Sequence, residues 1–558
     1  MPPVTYAFDR FLRYDELTAW LHATAAAHPG LVTVESYGRS HEGRDLWLAT
    51  ITDGSTGAHD TKPAHWVDAN IHAIEVTGGV AALHLIHHLV TGFGSDARIT
   101  EALRTRTFYV VPRVNPDGVE WTLADNPRYR RSSVRNWPWH DGHREPGLHE
   151  EDIDGNGRVL TMRLPDPNGA WMPSADDPRF LVRVPRDGAP AGTTRYRVLV
   201  EGLVQDHDGF TVPSARQPQR LDLNRNFPAG WGTNVPGSGD HPLSEPEIDG
   251  LVRAIVARPN ICGYNAYHTS GGVLLRPSST QADSALDPVD VWVWKQFSET
   301  GTELTGYTAH SVFEDFTFDR SDTLSGAADD WVYEHLGVYG WTTEFWDVIQ
   351  QATGTKGHNH VWYTGPTAAE EKAVYDWARE HHPEAYADWT PFAHPQLGDV
   401  EIGGWDDVLF WGNAPASRLL DEVRPHAEFA VHQALSSPRL EILHTHVEAL
   451  GGGTFRVDVG IANTGWLPTY ISQKARKANL VLPIVAELSG AEVLGGTARQ
   501  ELGQLGGRLD IHFVPGKNDG TPDRLLARWV VRAEPGATIV VTARHPRAGS
   551  ATVDIPLA

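Results

Sequence analysis

The sequence contains almost no cysteine, since Cys262 is the single one among 558 residues. No disulfide can form within the chain, so its stability has to come from large packed cores, which a chain of this length can bury. Free thiols are usual in reducing compartments, and Met1 is not followed by a basic segment and an apolar stretch. We therefore expect a cytoplasmic protein; a secreted protein whose leader has been removed is the alternative.

Long apolar runs and lysine are also scarce. No stretch of about 18 apolar residues occurs, which is the length that a membrane-spanning helix needs. Only seven residues are lysine, and the formal net charge is −24. A negative field of this size repels nucleic acid and anionic lipid surfaces. The composition therefore predicts no nucleic-acid partner and no membrane partner, and it leaves the oligomeric state open.

What the sequence does contain is an alternation of short β-like runs with helical patterns, which is typical of an α/β fold. The β-like runs are Leu46–Ile51, Ala64–Ala69, Phe108–Val111, Ile261–Tyr267 and Gly340–Glu344. Helical periodicity covers Tyr14–His28, Val80–Val90 and Glu245–Ala257. The letters SEPE at Ser244–Glu247 predict a capping box for the last of these helices. We predict a mixed, largely parallel sheet flanked by helices.

Two segments break this rhythm and divide the chain. Residues 137–220 are rich in Pro, Gly, Asp and Arg, and they are predicted to form a folded insertion that walls a cleft. Farther on, short alternating runs separated by turns predict an immunoglobulin-like β-sandwich. These runs are Leu440–His446, Phe455–Ile461, Leu480–Leu488, Leu509–Val514, Leu525–Arg532, Thr538–Ala543 and Thr552–Leu557. The predicted domains are residues 1–390, which include the insertion, and residues 391–558, which include a linker.

The insertion contains an acidic loop, DIDGNGR at residues 152–158, that is similar to the first half of a calcium-binding loop. Its twelfth position would be Arg163 and not an acid, so the EF-hand pattern fails. Two interpretations remain. Either Asp206 and Asp208 complete a Ca²⁺ site of another kind, or the aspartates of the loop stabilise a turn.

Three separated residues have the chemistry of a hydrolytic zinc site, which uses three protein ligands and keeps one position open. His72 and Glu75 are three residues apart after the run that ends at Ala69, a spacing that lets two side chains converge. His268 follows another β-like run, and in open α/β sheets ligands gather beyond the carboxyl ends of the strands. With 28 histidines in the chain, an isolated H-x-x-E pair arises by chance, so the hypothesis depends on its context.

That context is a series of motifs in a fixed order. GRSHEGR begins at Gly38, VNPDG at Val114, DLNRNF at Asp222 and SEPE at Ser244, and His268 and Glu344 follow. Over roughly residues 5–385, with the insertion unmatched, the chain resembles the zinc metallocarboxypeptidase family typified by pancreatic carboxypeptidases A and B. The resemblance implies a carboxypeptidase-like fold, one Zn²⁺ ion, and removal of the C-terminal residue from peptides or proteins.

The resemblance also implies a role for each residue that matches a family motif. The residues that match the zinc ligands are His72, Glu75 and His268. Asp222 matches the carboxylate that orients the first histidine and raises its basicity. Asn224 and Arg225 match the pair that grips the substrate's terminal carboxylate, for which a planar guanidinium is suited. Glu344 matches the general base, which takes a proton from water and delivers it to the leaving amine.

The motifs leave two assignments open. Arg130 is the best match to the arginine that polarises the scissile carbonyl, and Arg128 and Arg131 are the alternatives. Asp329 aligns with the floor of the specificity pocket, where an acid favours a C-terminal Lys, Arg or another amine-bearing residue such as diaminopimelate. The alternative for Asp329 is a solvated or helix-capping aspartate, because it precedes a helical pattern.

One position departs from the family pattern. Asp322 stands where a substrate-capping tyrosine is usual, so either Tyr307 or another aromatic residue takes that part, or the cap is missing.

Two rival functions stay open. The first is a zinc amidase that acts on peptidoglycan stem peptides or γ-glutamyl links. The second is a non-catalytic binding protein, which the intact set of ligands and base argues against.

Overall fold

The computed structural model describes residues 6–317, 324–356, 364–511 and 519–557. The helices in these ranges are α1 (Tyr14–Ala27), α2 (Val76–Gly92), α3 (Ala97–Thr105), α4 (Pro116–Thr122), α5 (Pro246–Val256), α6 (Pro288–Thr305), α7 (Ala328–Leu336), α8 (Val348–Thr353), α9 (Ala368–His381), α10 (Leu419–Leu435) and α11 (Gln473–Lys477). The first strands are β1 (Val32–Arg39), β2 (Asp45–Ile51), β3 (Ala64–Ala69), β4 (Thr107–Val111), β5 (Gly147–Glu150), β6 (Thr161–Pro165), β7 (Trp171–Pro173), β8 (Leu181–Arg183), β9 (Tyr196–Val200), β10 (Gly202–Gln205), β11 (Ile261–Thr269), β12 (Val273–Arg276), β13 (Thr308–Ser311) and β14 (Tyr339–Phe345). The later strands are β15 (Tyr386–His394), β16 (Gly398–Trp405), β17 (Leu440–Gly451), β18 (Thr454–Asn463), β19 (Val485–Ser489), β20 (Glu492–Gly495), β21 (Arg499–Glu501), β22 (Arg524–Arg532), β23 (Thr538–His545) and β24 (Gly549–Pro556).

An eight-stranded mixed sheet, with the strand order β1-β2-β4-β3-β11-β14-β12-β13, organises the N-terminal unit. The central strands β4, β3, β11 and β14 are parallel, whereas β2 and β12 pair antiparallel to their neighbours β4 and β14. Every residue of β3 and β4 is buried, because helices cover both faces of the sheet. One face packs with α2 and α10, and the other with α5 and α7. The predicted mixed α/β sheet flanked by helices is confirmed.

The helices agree with the sequence patterns in position but not in every detail. The predicted capping box at α5 is wrong, because Glu245 is the N-cap and no side chain caps the helix. Glu247 instead accepts a hydrogen bond from the backbone N–H of His41 (2.8 Å). Pro246 starts the helix, since the N–H that proline lacks is not needed there. Among the described helices, none alone is long and apolar enough to cross a membrane; α2 and α3 would qualify only as a pair, and they are bent by 102° at their junction.

The inserted residues form strands. β6, β7, β8 and β9 join β15 and β16 in a six-stranded antiparallel sheet with the order β15-β16-β6-β9-β7-β8, and β5 pairs with β10. Arg163 of β6 ties this sheet together, because its guanidinium lies over the rings of Tyr196 and Trp389 and pairs with Glu401 (2.8 Å). The linker that the sequence predicted from residue 391 is therefore ordered structure, since β16 pairs with the insertion and α10 packs on α2.

The C-terminal domain consists of two antiparallel sheets of four strands each. Their orders are β17-β18-β22-β20 and β21-β19-β23-β24, and both contribute side chains to one core. The domain is thus all-β as predicted, and its immunoglobulin-like type stays a prediction. The predicted run Leu509–Val514 is not a strand where the structure describes it, because Arg508–Asp510 forms a short 3₁₀ helix; residues 512–518 lie outside the described residues.

Buried polar contacts hold the C-terminal domain to the N-terminal unit. Asp290 of α6 is fully buried and accepts hydrogen bonds from the backbone N–H groups of Gln473 and Lys474, at the start of α11 (2.8 and 3.0 Å). At a second contact, the Arg106 guanidinium donates to the hydroxyl and the carbonyl of Ser437 (2.6 and 3.1 Å). Each contact satisfies a polar group that burial would otherwise leave unpaired.

Candidate metal centre and active site

Three side chains converge beyond the carboxyl ends of β3 and β11. His72 Nδ1 lies 2.7 Å from Glu75 Oε1, and His268 Nδ1 lies 2.9 Å from Glu75 Oε2 and 3.1 Å from His72 Nδ1. The three residues are at most 6% exposed. A carboxylate and two imidazole nitrogens are the donor set of many hydrolytic zinc sites. Their mutual approach therefore fits a Zn²⁺ ion held by all three.

The local sequence explains how the first two ligands reach this point. β3 ends at Ala69, and the next residue, Asn70, has a φ of 54°, a conformation that asparagine tolerates better than most residues. The chain turns there, and the Asn70 side-chain amide donates to the backbone carbonyl of Glu75. The first turn of α2 packs closely on β11. At Gly78, a Cβ atom would lie only 2.7 Å from the Tyr267 carbonyl oxygen. This close approach brings the start of α2 next to the strand that carries His268.

Asp222 connects the ligands to an arginine. Its Oδ1 lies 3.1 Å from His72 Nε2, on the side of the ring opposite to the metal-facing nitrogen, and its Oδ2 accepts a hydrogen bond from Arg131 Nε (2.8 Å). Burial would raise the pKa of Asp222, but Arg131, His72 and Arg225 outweigh it and hold the pKa well below its usual value. An ionised Asp222 fixes the orientation of the His72 ring.

The charges within the cluster shift the pKa values of its members. Burial would raise the pKa of Glu75, but His72 and His268 hold it below its usual range. Burial and Arg131 lower the pKa of His72, whereas the Glu75 and Asp222 carboxylates outweigh them and raise it. The carboxylates thus stay ionised beside the imidazoles, which is the state in which they would bind a cation.

Glu344 lies beside this cluster on β14. It is paired in register with His268 across the parallel strands β11 and β14. Burial raises the pKa of Glu344 to about 8, and Glu75 and Asp329 add to this rise against the opposing effect of His268 and Arg131. A carboxylate whose pKa lies near neutral pH can both accept and return a proton.

The structure corrects the predicted arginine. Arg130 points away from the cluster, where its guanidinium binds Glu150 Oε1 (2.8 Å) and Gln219 Oε1 (2.9 Å) and its side chain is only 11% exposed. Arg131, the alternative, reaches Asp222 and lies 3.8 Å from Glu75 Oε1, with its side chain 54% exposed. The backbone N–H of Ala73 donates to the Arg131 carbonyl (2.8 Å), which fixes the backbone of Arg131 beside the segment that carries His72 and Glu75.

Asn224 and Arg225 lie in a short 3₁₀ helix that Asp222 caps through the backbone N–H of Asn224 (2.9 Å). The Asn224 side-chain oxygen accepts from the backbone N–H of Ala328 (2.9 Å), which leaves its amide N–H groups as donors. The Arg225 guanidinium donates to the Asn224 carbonyl (2.7 Å), and no carboxylate of the described residues pairs with it. These donors are free to receive an anionic group.

Asp329 occupies the first turn of α7 and is 4% exposed. It accepts a hydrogen bond from the backbone N–H of Asp330 (3.0 Å), and burial raises its pKa despite the nearby charges of His268 and Arg225. The solvated aspartate that the sequence allowed is therefore wrong. The carboxylate is enclosed beside the site. It does not cap α7, because the N-cap residue is Ala327.

Two further expectations concern neighbouring residues. Asp322, at the position of the usual capping tyrosine, lies outside the described residues. Tyr307, the candidate substitute, is 8% exposed and engaged: its hydroxyl contacts the Glu422 carboxylate and accepts from the backbone N–H of Trp346 (2.9 Å). A tyrosine held in this way cannot reach a substrate, so Tyr307 is not the cap.

The acidic loop of the insertion is a turn stabilised by its own aspartates. Asp152 accepts from the backbone N–H groups of residues 155, 156 and 157, and Asp154 accepts from that of Asn156. Glu201 comes close to both but accepts from the backbone N–H groups of Ile153 and Leu160. Asp208 does not join them, since it closes a turn of its own. The Ca²⁺ hypothesis gains no support from these contacts.

A mixed α/β sheet with two histidines and a glutamate at its strand ends defines a zinc-binding class of protein. A family model described as zinc carboxypeptidase matches residues 17–156 and 207–355, which together exceed half of the chain. The chain belongs to the zinc carboxypeptidase family. The unmatched residues between these ranges fall within the insertion. A second model, described as a domain of unknown function (DUF8731), matches residues 439–556.

Similar proteins cover only parts of the chain. Carboxypeptidase B of Astacus astacus is 33% identical over 158 residues, which are 28% of this chain and 43% of that protein. A zinc carboxypeptidase of Saccharothrix mutabilis subsp. capreolus is 31% identical over 130 residues, which are 23% of this chain and 28% of that protein. The chain thus spans less than half the length of either relative. The crystal structure of carboxypeptidase A from Helicoverpa armigera is 18% identical with a TM-score of 0.40, covers 67% of this chain and 74% of that one, and adds nothing to the family assignment.

Proposed function

We propose that the protein is a zinc-dependent carboxypeptidase that hydrolyses the C-terminal peptide bond of peptides or proteins. The observation that carries this proposal is the convergence of His72 Nδ1, Glu75 and His268 Nδ1 within 3.1 Å of their neighbours, with Glu344 in register beside them. These three residues would hold Zn²⁺, which when bound supplies a Lewis acid that makes water nucleophilic at neutral pH.

Glu344 would act as the general base. Its register with His268 on the parallel strand β11 puts its side chain on the same face of the sheet as that ligand. It would take the proton from that water and later deliver the proton to the amine that leaves. The other side of the reacting carbonyl would face Arg131, whose exposed guanidinium can donate hydrogen bonds to the oxygen as negative charge develops on it.

Asn224 and Arg225 would hold the terminal carboxylate of the substrate. The free guanidinium and amide N–H groups suit a bidentate anion, and a fixed carboxylate would bring only the last peptide bond to the metal centre. Asp329, enclosed beside Arg225, supports a preference for a terminal residue with an amine or guanidinium group. Lysine, arginine and diaminopimelate have this chemistry.

The test is mass-spectrometric analysis of a mixed peptide library treated with the zinc-loaded protein, with a chelator-treated sample as the control. We expect zinc-dependent loss of single C-terminal residues, fastest for Lys and Arg, and no loss from the same peptides carrying a C-terminal amide. Cleavage of amidated peptides at an equal rate would remove the role given to Arg225. No trimming by protein with verified bound zinc would reject the proposal in favour of the amidase or binding-protein alternatives.

A further inference from the structure

A cleft of about 780 Å³ opens beside the candidate metal centre. It begins at Ser270, two residues after His268, and at Trp346, two residues after Glu344. The opposite wall comes from the inserted sheet, through β6, β7, β8 and β9, and from the end of β16. The insertion therefore builds a binding space that the parallel sheet alone would leave open to solvent.

The position of the cleft indicates which part of a substrate it would receive. None of Asn224, Arg225 and Asp329 lines it. If those residues hold the C-terminal residue, as the proposed function requires, the peptide on the other side of the scissile bond continues past Ser270 and Trp346. This inference rests on the proposed function. An extended chain advances about 3.3 Å per residue, so several upstream residues would lie within the cleft.

One end of the cleft has an aromatic wall. The ring of Trp405 lies 5.0 Å from that of Tyr386 and 5.6 Å from that of Trp411, in edge-to-face arrangements. Tyr386 is fixed by its hydroxyl, which donates to the Arg179 carbonyl (2.7 Å). Rigid indole and phenol rings attract cations to their faces.

Two carboxylates stand beside these rings. Glu371 accepts a hydrogen bond from Trp405 Nε1 (3.0 Å) and makes no ion pair with a residue that the structure describes. Asp407, two residues after Trp405, has no hydrogen bond or ion pair through its side chain with any residue that the structure describes. Asp407 is exposed, so its carboxylate is open to a ligand in the cleft. Negative charge at this end of the cleft therefore lacks a local counter-charge.

The cations that line the cleft do not neutralise this end. Arg179 is paired with Asp177. Arg183 of β8 is engaged with the ring of Trp171 on the neighbouring strand β7.

We propose that this cleft binds the substrate upstream of the scissile bond and selects a basic side chain there, with Asp407 and Glu371 as anionic partners and Tyr386, Trp405 and Trp411 as the aromatic wall. A lysine or arginine side chain can place its methylene groups on the rings and its charge on the carboxylates. The protein would then recognise basic residues on both sides of the bond it cleaves.

The test compares peptides of one length and one C-terminal residue, so that any effect of Asp329 is constant, with Lys, Gln or Glu at each upstream position in turn. The measured quantity is the ratio of kcat/KM for the Lys and Gln peptides. We expect a ratio of about ten at one position in the native protein, reduced to about two in Asp407→Asn and in Glu371→Gln. The control variant is Asp399→Asn, at the exposed far end of β16, which should keep the native ratio.

The possible failures are distinguishable. Cleavage of all peptides with equal efficiency, or an unchanged ratio in both cleft variants, would overturn this inference and leave the carboxypeptidase intact. If no peptide is cleaved although zinc is bound, the proposed function fails. The selection of a basic side chain by the cleft is then tested by peptide binding alone. Fluorescence anisotropy of labelled peptides on the Glu344→Gln protein should show about tenfold tighter binding of the Lys peptide, and equal binding would overturn the proposal.

Discussion

His268 and Glu344 face each other in register across the parallel strands β11 and β14. On its other side, Glu344 pairs with Val273 of the antiparallel strand β12. A candidate metal ligand and a candidate base are thus fixed by the backbone of three neighbouring strands. A site built on strands holds its geometry more closely than one built on loops.

Replacing Glu344 by Gln should abolish turnover and keep the metal. The amide occupies the same space but cannot accept the proton, so we expect kcat/KM on C-terminal peptides to fall by about 10²- to 10⁴-fold. Zinc content, measured by mass spectrometry of the dialysed protein, should stay near one ion per chain. The matched control is Glu303→Gln on the exposed face of α6, which should change neither quantity. Turnover at the native rate in Glu344→Gln would reject the mechanism.

Arg131 and Arg130 should behave differently when each is replaced by alanine. Arg131→Ala removes the donor beside the metal centre, and we expect a decrease in kcat/KM of about 10²- to 10³-fold with a small effect on stability. Arg130→Ala leaves the Glu150 carboxylate without its partner, so we expect lower stability and near-native kcat/KM in the folded fraction. Peptidase kinetics and urea unfolding of both variants check this pair, and the opposite pattern would return the role to Arg130.

Asp222→Asn should weaken metal retention. The carboxylate holds the His72 ring through Nε2, and the loss of such an outer partner costs about 10- to 100-fold in metal affinity. Competition for Zn²⁺ with a chromophoric chelator measures the change directly. Asp399→Asn is again the control, and native affinity in Asp222→Asn would show that the contact does not orient the ligand.

Glu247 should make stability depend on pH. Burial raises its pKa from the ordinary 4.5 to about 7, and the residue is 2% exposed. Between these values the folded chain keeps a proton that the unfolded chain has released, so stability falls as the pH rises and the loss is complete above the folded pKa. The total is on the order of 3 kcal/mol. Glu247→Gln can still accept from the His41 N–H, and it should lose less stability than the native protein between pH 5 and pH 8.5.

Urea unfolding at both pH values, with Glu303→Gln as the control, measures this difference. The native protein and the control should lose similar stability over the interval, and the Glu247→Gln protein distinctly less. An equal loss in all three proteins would mean that other groups cause the pH dependence.

The central strands were predictable because their burial leaves a direct mark on the sequence. β3 and β4 are mostly apolar runs of six and five residues, and the structure begins and ends them within a residue of the prediction. The grouping of His72, Glu75 and His268 was accessible for a related reason, since all three lie at or just after the carboxyl ends of the paired parallel strands β3 and β11.

The unpredicted features depend on contacts between distant segments. Arg131 faces the site because its carbonyl is bound by Ala73, and nothing in the letters of 128–131 reveals that register. β16 pairs with β6, which lies more than two hundred residues earlier, so a local pattern could only suggest a linker there.

Asp290 accepts four hydrogen bonds: two from the start of α11, and two from the hydroxyls of Tyr333 and Tyr339 in the N-terminal unit. Separating the β-domain from the rest would strip two donors from a carboxylate that no water reaches in the intact protein. The N-terminal unit and the β-domain should therefore melt in a single calorimetric transition. A chain cut between α10 and β17 would lose stability in the part that remains.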